Sequence, residues 1–101
     1  MDEIFKGFEK WYLNKKHRWE QMGIFVDESG LSQYGHQYWI KLHSDMGLGN
    51  IVLYESNSCY WVEFESGNYN DDDIYIKSGI EFQNTIDLDK YENEFILNIL
   101  A

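Results

Sequence analysis

Apolar residues change their spacing twice along the chain, and this change restricts the folds that the chain can adopt. Near the N-terminus they recur every three or four residues, which places them on one side of an amphipathic helix. That side consists of Ile4, Phe5, Phe8, Trp11, Tyr12, Trp19 and Met22. Asp2 is placed to cap this helix and Gly23 to end it.

From residue 24 the spacing becomes an alternation of apolar and polar residues, which is typical of strands. Predicted strands span residues 24–26, 38–44, 51–56, 59–65 and 74–82. The stretches 27–30, 45–50 and 67–73 are rich in glycine and polar residues and are predicted to be turns or loops.

The last predicted strand is followed by a return to helical spacing. In the strand, Ile74, Ile76, Ile80 and Phe82 are predicted to point inward, which turns Tyr75 outward with Lys77 and Glu81. In the helix, apolar residues recur on one side from Leu88 to Ile99, and Asp87 is the predicted cap.

These elements predict an α+β fold in a single domain over residues 1–101. The links between consecutive strands are short, and short links favour antiparallel neighbours because a parallel pair needs a long crossover. We therefore expect a meander of four to five antiparallel strands packed against the N-terminal and C-terminal helices. The sequence leaves open whether both helices cover the same face of the sheet.

Composition narrows the classes of function. Acidic residues outnumber basic ones by 18 to 8, and the net charge of −10 repels nucleic acid and anionic lipid while attracting a basic partner. No apolar run exceeds four residues, so neither a membrane span nor a secretory signal is predicted. With a single cysteine, Cys59, the chain has no internal disulfide framework, and we expect a cytoplasmic protein.

Known catalytic and ligand-binding motifs are missing from the sequence. Gly47-Leu48-Gly49 is predicted to be a turn, because it joins two strands instead of a strand and a helix. The three histidines are not spaced as metal ligands, and no basic cluster accompanies Cys59. The acidic loop at residues 68–73 has Asp73 where a calcium loop needs glycine. The sequence therefore predicts no enzyme, no cofactor and no metal.

Aromatic residues alternate with carboxylates on the predicted outer face of the sheet. Exposed tryptophan and tyrosine usually mark a contact surface, and carboxylates beside them suit a basic partner. The predicted partner-binding residues are Trp39, Trp61, Glu63, Glu65, Tyr69, Asp71, Asp72, Asp73 and Tyr75. The alternative is that a loop or a second subunit covers these rings.

Two segments, FEKWYLNKKHRWEQMG and CYWVEFESG, carry a resemblance to a known family. With the small acidic domain around them, they resemble the bacterial immunity proteins of contact-dependent growth inhibition, in particular the group that pairs with toxins acting on transfer RNA together with elongation factor Tu. The resemblance implies a cytoplasmic binding protein without enzymatic activity, which neutralises a cognate toxin by blocking its active site or its access to substrate. It assigns no binding residue.

Two other classes of function stay open at this point. An acidic mimic of nucleic acid, which inhibits a DNA- or RNA-binding protein, would carry the same charge. A small enzyme or ligand-binding module would need a concave apolar pocket, for which the predicted fold offers no evident place. Homodimer formation is also left open.

Overall fold

A computed structural model describes residues 2–70, 74–82 and 86–100. In chain order the elements are α1 (Glu3–Gln21), β1 (Phe25–Leu31), β2 (Gln37–His43), β3 (Gly47–Ser56), β4 (Cys59–Asn68), β5 (Ile74–Glu81) and α2 (Ile86–Leu100). The five strands form one antiparallel sheet in the order of the chain. The predicted α+β meander with two terminal helices is thus confirmed.

The predicted ends of α1 are confirmed, whereas the predicted start of α2 is wrong. The Asp2 side chain accepts a hydrogen bond of 2.9 Å from the Phe5 backbone N–H, as an N-cap does. Gly23 follows α1 with a φ of 87°, a conformation that glycine adopts at helix ends. The cap predicted at Asp87 is wrong, because α2 already begins at Ile86. Neither described helix is long and apolar enough to cross a membrane.

Both helices pack on the same face of the sheet, which settles the point that the sequence left open. Ile40, Ile51 and Phe64 are register partners on three neighbouring strands, and all three are fully buried. The Phe64 ring lies 6.4 Å from the ring of Trp11 in α1 and 5.8 Å from that of Phe95 in α2. One aromatic layer therefore joins the sheet to both helices.

Strands occupy most of two predicted turns: β1 runs through residues 27–30, and β3 includes residues 47–50, so the chain turns only at Asp45 and Met46 in the stretch 45–50. Residues 28–31 of β1 pair with residues 38–41 of β2 after a bulge near Asp27. Strand β3 begins at Gly47, where a Cβ atom would collide with the Gly67 backbone oxygen. A Cβ atom on Gly49 would lie 2.7 Å from Phe95 Cε2. These glycines therefore allow close approach inside the sheet and under α2, and they do not form a turn.

A buried carboxylate ties the two helices together. Glu92 of α2 is 2% exposed, and its Oε1 accepts hydrogen bonds from Trp19 Nε1 at 2.9 Å and from Arg18 at 2.5 Å. Nearby, Asp89 accepts a 3.0 Å hydrogen bond from Trp11 Nε1. Part of the acidic excess thus serves the fold, since these carboxylates satisfy donors that α1 presents to α2.

The Glu92 contacts predict a loss of stability on truncation. We expect Glu92→Ala to lower the free energy of unfolding by about 2 to 3 kcal/mol, because a buried indole N–H and a guanidinium lose their acceptor. Urea denaturation measures the change. Glu20→Ala, at an exposed position of α1, serves as control and should stay within about 0.5 kcal/mol of the parent. Equal urea midpoints for the two variants would contradict the role given to Glu92.

Substitution by alanine is expected to have opposite effects at two glycines: Gly49, which faces α2, and Gly7, which lies inside α1. Gly49→Ala should destabilise the protein by about 1 to 3 kcal/mol, because the added methyl group pushes on the buried Phe95 ring. Gly7→Ala should stabilise it by roughly 0.5 to 1 kcal/mol, because the position lies inside α1 and a Cβ atom there meets nothing within 4 Å. Thermal unfolding of both variants checks the signs, and a stabilising Gly49→Ala would refute the close packing.

Candidate functional site

The sheet face opposite the helices is the candidate site, and we call it the open face. Residues paired across antiparallel strands point to the same side of the sheet, so the register assigns each side chain to a face. All five strands contribute to the open face: Phe25, Glu28, Gln37, Trp39, Lys41, His43, Leu48, Asn50, Val52, Tyr54, Cys59, Trp61, Glu63, Glu65, Ile74, Ile76 and Glu81.

Trp39 is held in place on the open face by its neighbours on β1. Its indole N–H donates a 3.2 Å hydrogen bond to Glu28. The ring lies so close above Gly30 that a Cβ atom there would be 3.1 Å from Trp39 Cζ2. The glycine thus lets the indole lie against the backbone of the edge strand, where it stays partly exposed.

Tyr54 and Trp61 form a stacked pair one row further along the sheet. They are register partners on β3 and β4, and their ring centroids are 5.7 Å apart with an interplanar angle of 13°. Cross-strand aromatic pairs of this kind stabilise a sheet and also hold both rings rigidly. Together with Trp39, they give one end of the open face a preformed aromatic surface.

Carboxylates surround these rings. The described open face carries Glu28, Glu63, Glu65 and Glu81, with Asp27 at its edge, against a single ammonium group, that of Lys41. Lys41 approaches Glu28 at 3.9 Å, whereas Glu63 and Glu65 make no hydrogen bond or ion pair with any described residue. The surface is therefore strongly negative.

The pKa of Tyr54 reports the charge beside the aromatic rings. Burial raises this pKa above its ordinary value of 10.0, and the negative charges of Glu63 and Glu65 raise it further. Both carboxylates therefore lie close enough to the tyrosine hydroxyl to oppose its ionisation. Aromatic rings and carboxylates share one surface here, as the sequence predicted for this face.

The other end of the open face is apolar, a feature that the sequence pattern did not reveal. Phe25, Leu48, Ile74 and Ile76 are 47%, 54%, 60% and 54% exposed, respectively. The register places Leu48 and Ile74 in one row through His43 and Gly67. A patch of apolar side chains this exposed is typical of a contact surface. The alternation of residues 47–51 was the available signal, but the two glycines hid it.

Four of the predicted partner-binding residues lie on the open face. These are Trp39, Trp61, Glu63 and Glu65. Tyr69 lies in the turn after β4, where its side chain is 65% exposed and its backbone N–H donates to Met46. Asp71, Asp72 and Asp73 lie outside the described residues. That these residues bind a partner stays a prediction.

The face predicted for Tyr75 is wrong. Tyr75 pairs with Ser66 and turns toward the helices, where its hydroxyl donates a 2.6 Å hydrogen bond to Glu94 of α2. Ile74 and Ile76, predicted to be inside, consequently lie on the open face. The cause is a bulge in β5: Ser78 and Gly79 lie between the partners of Val62 and Phe64, and Gly79 has a φ of 69°. The extra residue shifts the alternation by one position before Ile80.

An aspartate and a histidine meet at the edge of the open face. His43 Nδ1 and Asp27 Oδ1 are 2.6 Å apart, with both side chains at least 40% exposed. Such a pair can orient a general base, yet His43 has no hydrogen bond to a described hydroxyl or thiol that could act as nucleophile. Among the described residues, no group of three or more histidine, cysteine or acidic side chains could hold a metal ion.

Comparison of the chain with protein-family models, with curated proteins and with solved structures found no match.

The hydrogen bond of Tyr75 predicts a pH-dependent contribution to stability. Burial raises the pKa of Tyr75, and its hydrogen bond to Glu94 raises it further above the ordinary 10.0. The unfolded chain therefore releases this proton first, and the stabilisation is complete below pH 10 and declines as the pH rises above it.

We expect Tyr75→Phe to cost about 1 kcal/mol at pH 8 and less at pH 11. Urea midpoints at both pH values provide the measurement. Tyr34→Phe, at a side chain that is 80% exposed, is the control and should leave the midpoint at pH 8 unchanged. A cost for Tyr75→Phe that does not change with pH would argue against the contact with Glu94.

Proposed function

We propose that this protein is a cytoplasmic bacterial immunity protein, which binds and neutralises the toxin domain of a contact-dependent growth inhibition system. The open face is the proposed toxin-binding surface. The observation that carries the proposal is an uncovered sheet face on which the stacked Tyr54 and Trp61 rings lie beside the carboxylates of Glu63 and Glu65. The protein acts by binding and needs no catalytic residue.

The size of the open face suits such a complex. Strands lie about 4.8 Å apart and rise about 3.3 Å per residue, so five strands of seven to ten residues present a face of roughly 600 to 800 Å². A standard protein–protein interface buries about 800 Å² on each partner. One face of this sheet is thus large enough to cover a toxin's active site or its path to substrate.

The chemistry of the open face supports a nuclease toxin as partner. A protein that binds RNA presents lysine and arginine to the phosphates, and a negative surface can occupy the same place. Protection requires that almost no toxin stays free, which corresponds to a dissociation constant near 1 nM, or about −12 kcal/mol. Rigid aromatic rings in the middle of an interface are the usual source of such affinity. That the substrate is transfer RNA, and that elongation factor Tu takes part, rests on the resemblance of the sequence.

A mimic of nucleic acid is the alternative, and the arrangement of side chains favours it less. A mimic needs carboxylates in rows at the spacing of phosphates. On the described open face, Glu63 and Glu65 are neighbours on β4, whereas Lys41 and Asn50 lie between Glu65 and Glu28, and the far end is apolar. Apolar side chains of this kind contribute to a protein interface and not to the imitation of a phosphate backbone.

The test is growth rescue with the product of the reading frame immediately upstream of this gene, where we expect the toxin to be encoded. We expect co-expression of the parent protein to restore growth and the two proteins to purify together. Trp61→Ala combined with Glu63→Lys should weaken binding by about a hundredfold or more and abolish rescue, because an aromatic anchor is lost and a charge is reversed.

The matched control changes the helix side of the molecule. Leu13→Ala combined with Glu20→Lys removes an exposed apolar side chain and reverses one charge on α1, and it should rescue growth like the parent. Circular dichroism verifies that both double variants are folded. Rescue by a folded Trp61→Ala/Glu63→Lys protein would refute the open face as the binding site, and failure of the parent to bind the toxin would refute the function.

A further inference from the structure

A cleft of about 450 Å³ lies at one end of the sheet, between the start of β4 and the last residues of β5. Trp61 and Glu81 both line it, and the register pairs them directly across the two strands. Cys59 and Phe82 complete much of its wall. The cleft therefore combines an indole ring with a carboxylate on the neighbouring strand.

The stacking of Trp61 determines which side of its ring is accessible. Tyr54 covers one side of the indole in a nearly parallel arrangement. Tyr54 belongs to β3, which lies on the opposite side of β4 from β5. The other side of the indole is thus turned toward β5 and Glu81, and the cleft lies there. Tyr54 also holds the ring in place, so a ligand would meet a surface that is already formed.

The charge near the cleft selects a cation. Glu63 is the residue of β4 that follows Trp61 on the same face, and it makes no hydrogen bond or ion pair with any described residue. Glu81 lies in the wall of the cleft and already takes part in another interaction, but a carboxylate has about four lone-pair sites and can accept further hydrogen bonds from a guanidinium. Of the two strongly basic amino acids, arginine fits this cleft better than lysine does. Its planar guanidinium stacks on an aromatic ring while its N–H groups donate to a carboxylate, whereas an ammonium group is a strongly hydrated point charge.

We propose that this cleft is an arginine subsite, in which a guanidinium group of the partner protein stacks on Trp61 and donates hydrogen bonds to Glu81. The proposal rests on the proposed function for the nature of the partner, a basic toxin domain. It adds the chemical group that this part of the open face recognises.

Small probes test the subsite without the toxin. We would titrate the ¹⁵N-labelled protein with N-acetyl-arginine methylamide and with the citrulline analogue, which has nearly the same shape but no charge, and follow the amide signals of residues 59–61 and 79–82 by NMR. The arginine probe should bind at least about fivefold more tightly than the citrulline probe. Equal affinities for the two probes would overturn the proposal.

Variants of Glu81 and Trp61 test the contributions of the carboxylate and the indole to the subsite separately. Glu81→Gln should abolish the preference for arginine over citrulline, and Trp61→Ala should weaken binding of the arginine probe at least about fivefold. Trp61→Phe keeps an aromatic ring for the case that the alanine variant does not fold, and it should bind the probe more weakly than the parent. Tyr34→Phe, at an exposed aromatic side chain outside both the open face and the cleft, is the control and should bind like the parent. An arginine preference that survives Glu81→Gln would overturn the assignment.

Affinity measurements with the toxin domain test the arginine subsite and the proposed function independently. If the parent protein binds the toxin, Glu81→Gln should raise the dissociation constant at least about tenfold, mainly through faster dissociation. Unchanged affinity of Glu81→Gln would overturn the arginine subsite and leave the immunity function standing. If the parent does not bind the toxin but prefers the arginine probe, the immunity function fails and the guanidinium site stands.

Discussion

Packing of both helices on one face of the sheet is the constraint on which the rest of this structure depends. The rings of Trp11, Phe64 and Phe95 meet in one layer, and the helices are further joined through the buried Glu92. A chain of 101 residues can build one core, and this arrangement gathers that core on one side. The other side of the sheet is covered by neither described helix, and its aromatic and apolar side chains are therefore accessible to a partner.

Two groups of acidic residues with different roles can be distinguished in the part of the chain that the structure describes. In the first, carboxylates accept hydrogen bonds from aromatic side chains of another element, as Glu9 does from Tyr38, Glu94 from Tyr75 and Glu92 from Trp19. In the second, Glu63 and Glu65 lie on the open face and lack such bonds among the described residues. The net charge of −10 thus reflects both structural acceptors and a negative surface, and the carboxylates of the open face are the ones that bear on the proposed binding.

Most of the fold could be predicted from the sequence, because spacing reports directly on local structure. The alternation in residues 38–44 and 59–65 placed Trp39, Trp61, Glu63 and Glu65 on a common face, and the register bears this out. The predicted secondary structure is wrong where one residue type occurs in two different local structures. Glycine is typical of turns, so the sequence predicts a turn at Gly47 and Gly49, but both occupy β3, where Phe95 and the Gly67 backbone leave no room for a Cβ atom.

By itself, the sequence determined the types of the elements, their order and the antiparallel meander, because periodicity and short connections are local properties of a chain. Tertiary structure alone decided that both helices cover one face, and that Ile74 and Ile76 lie on the open face while Tyr75 turns to α2. Alternation states which residues of one strand share a side. It does not state which side faces the core, and in β5 the bulge at Ser78 and Gly79 and the register with β4 make that choice.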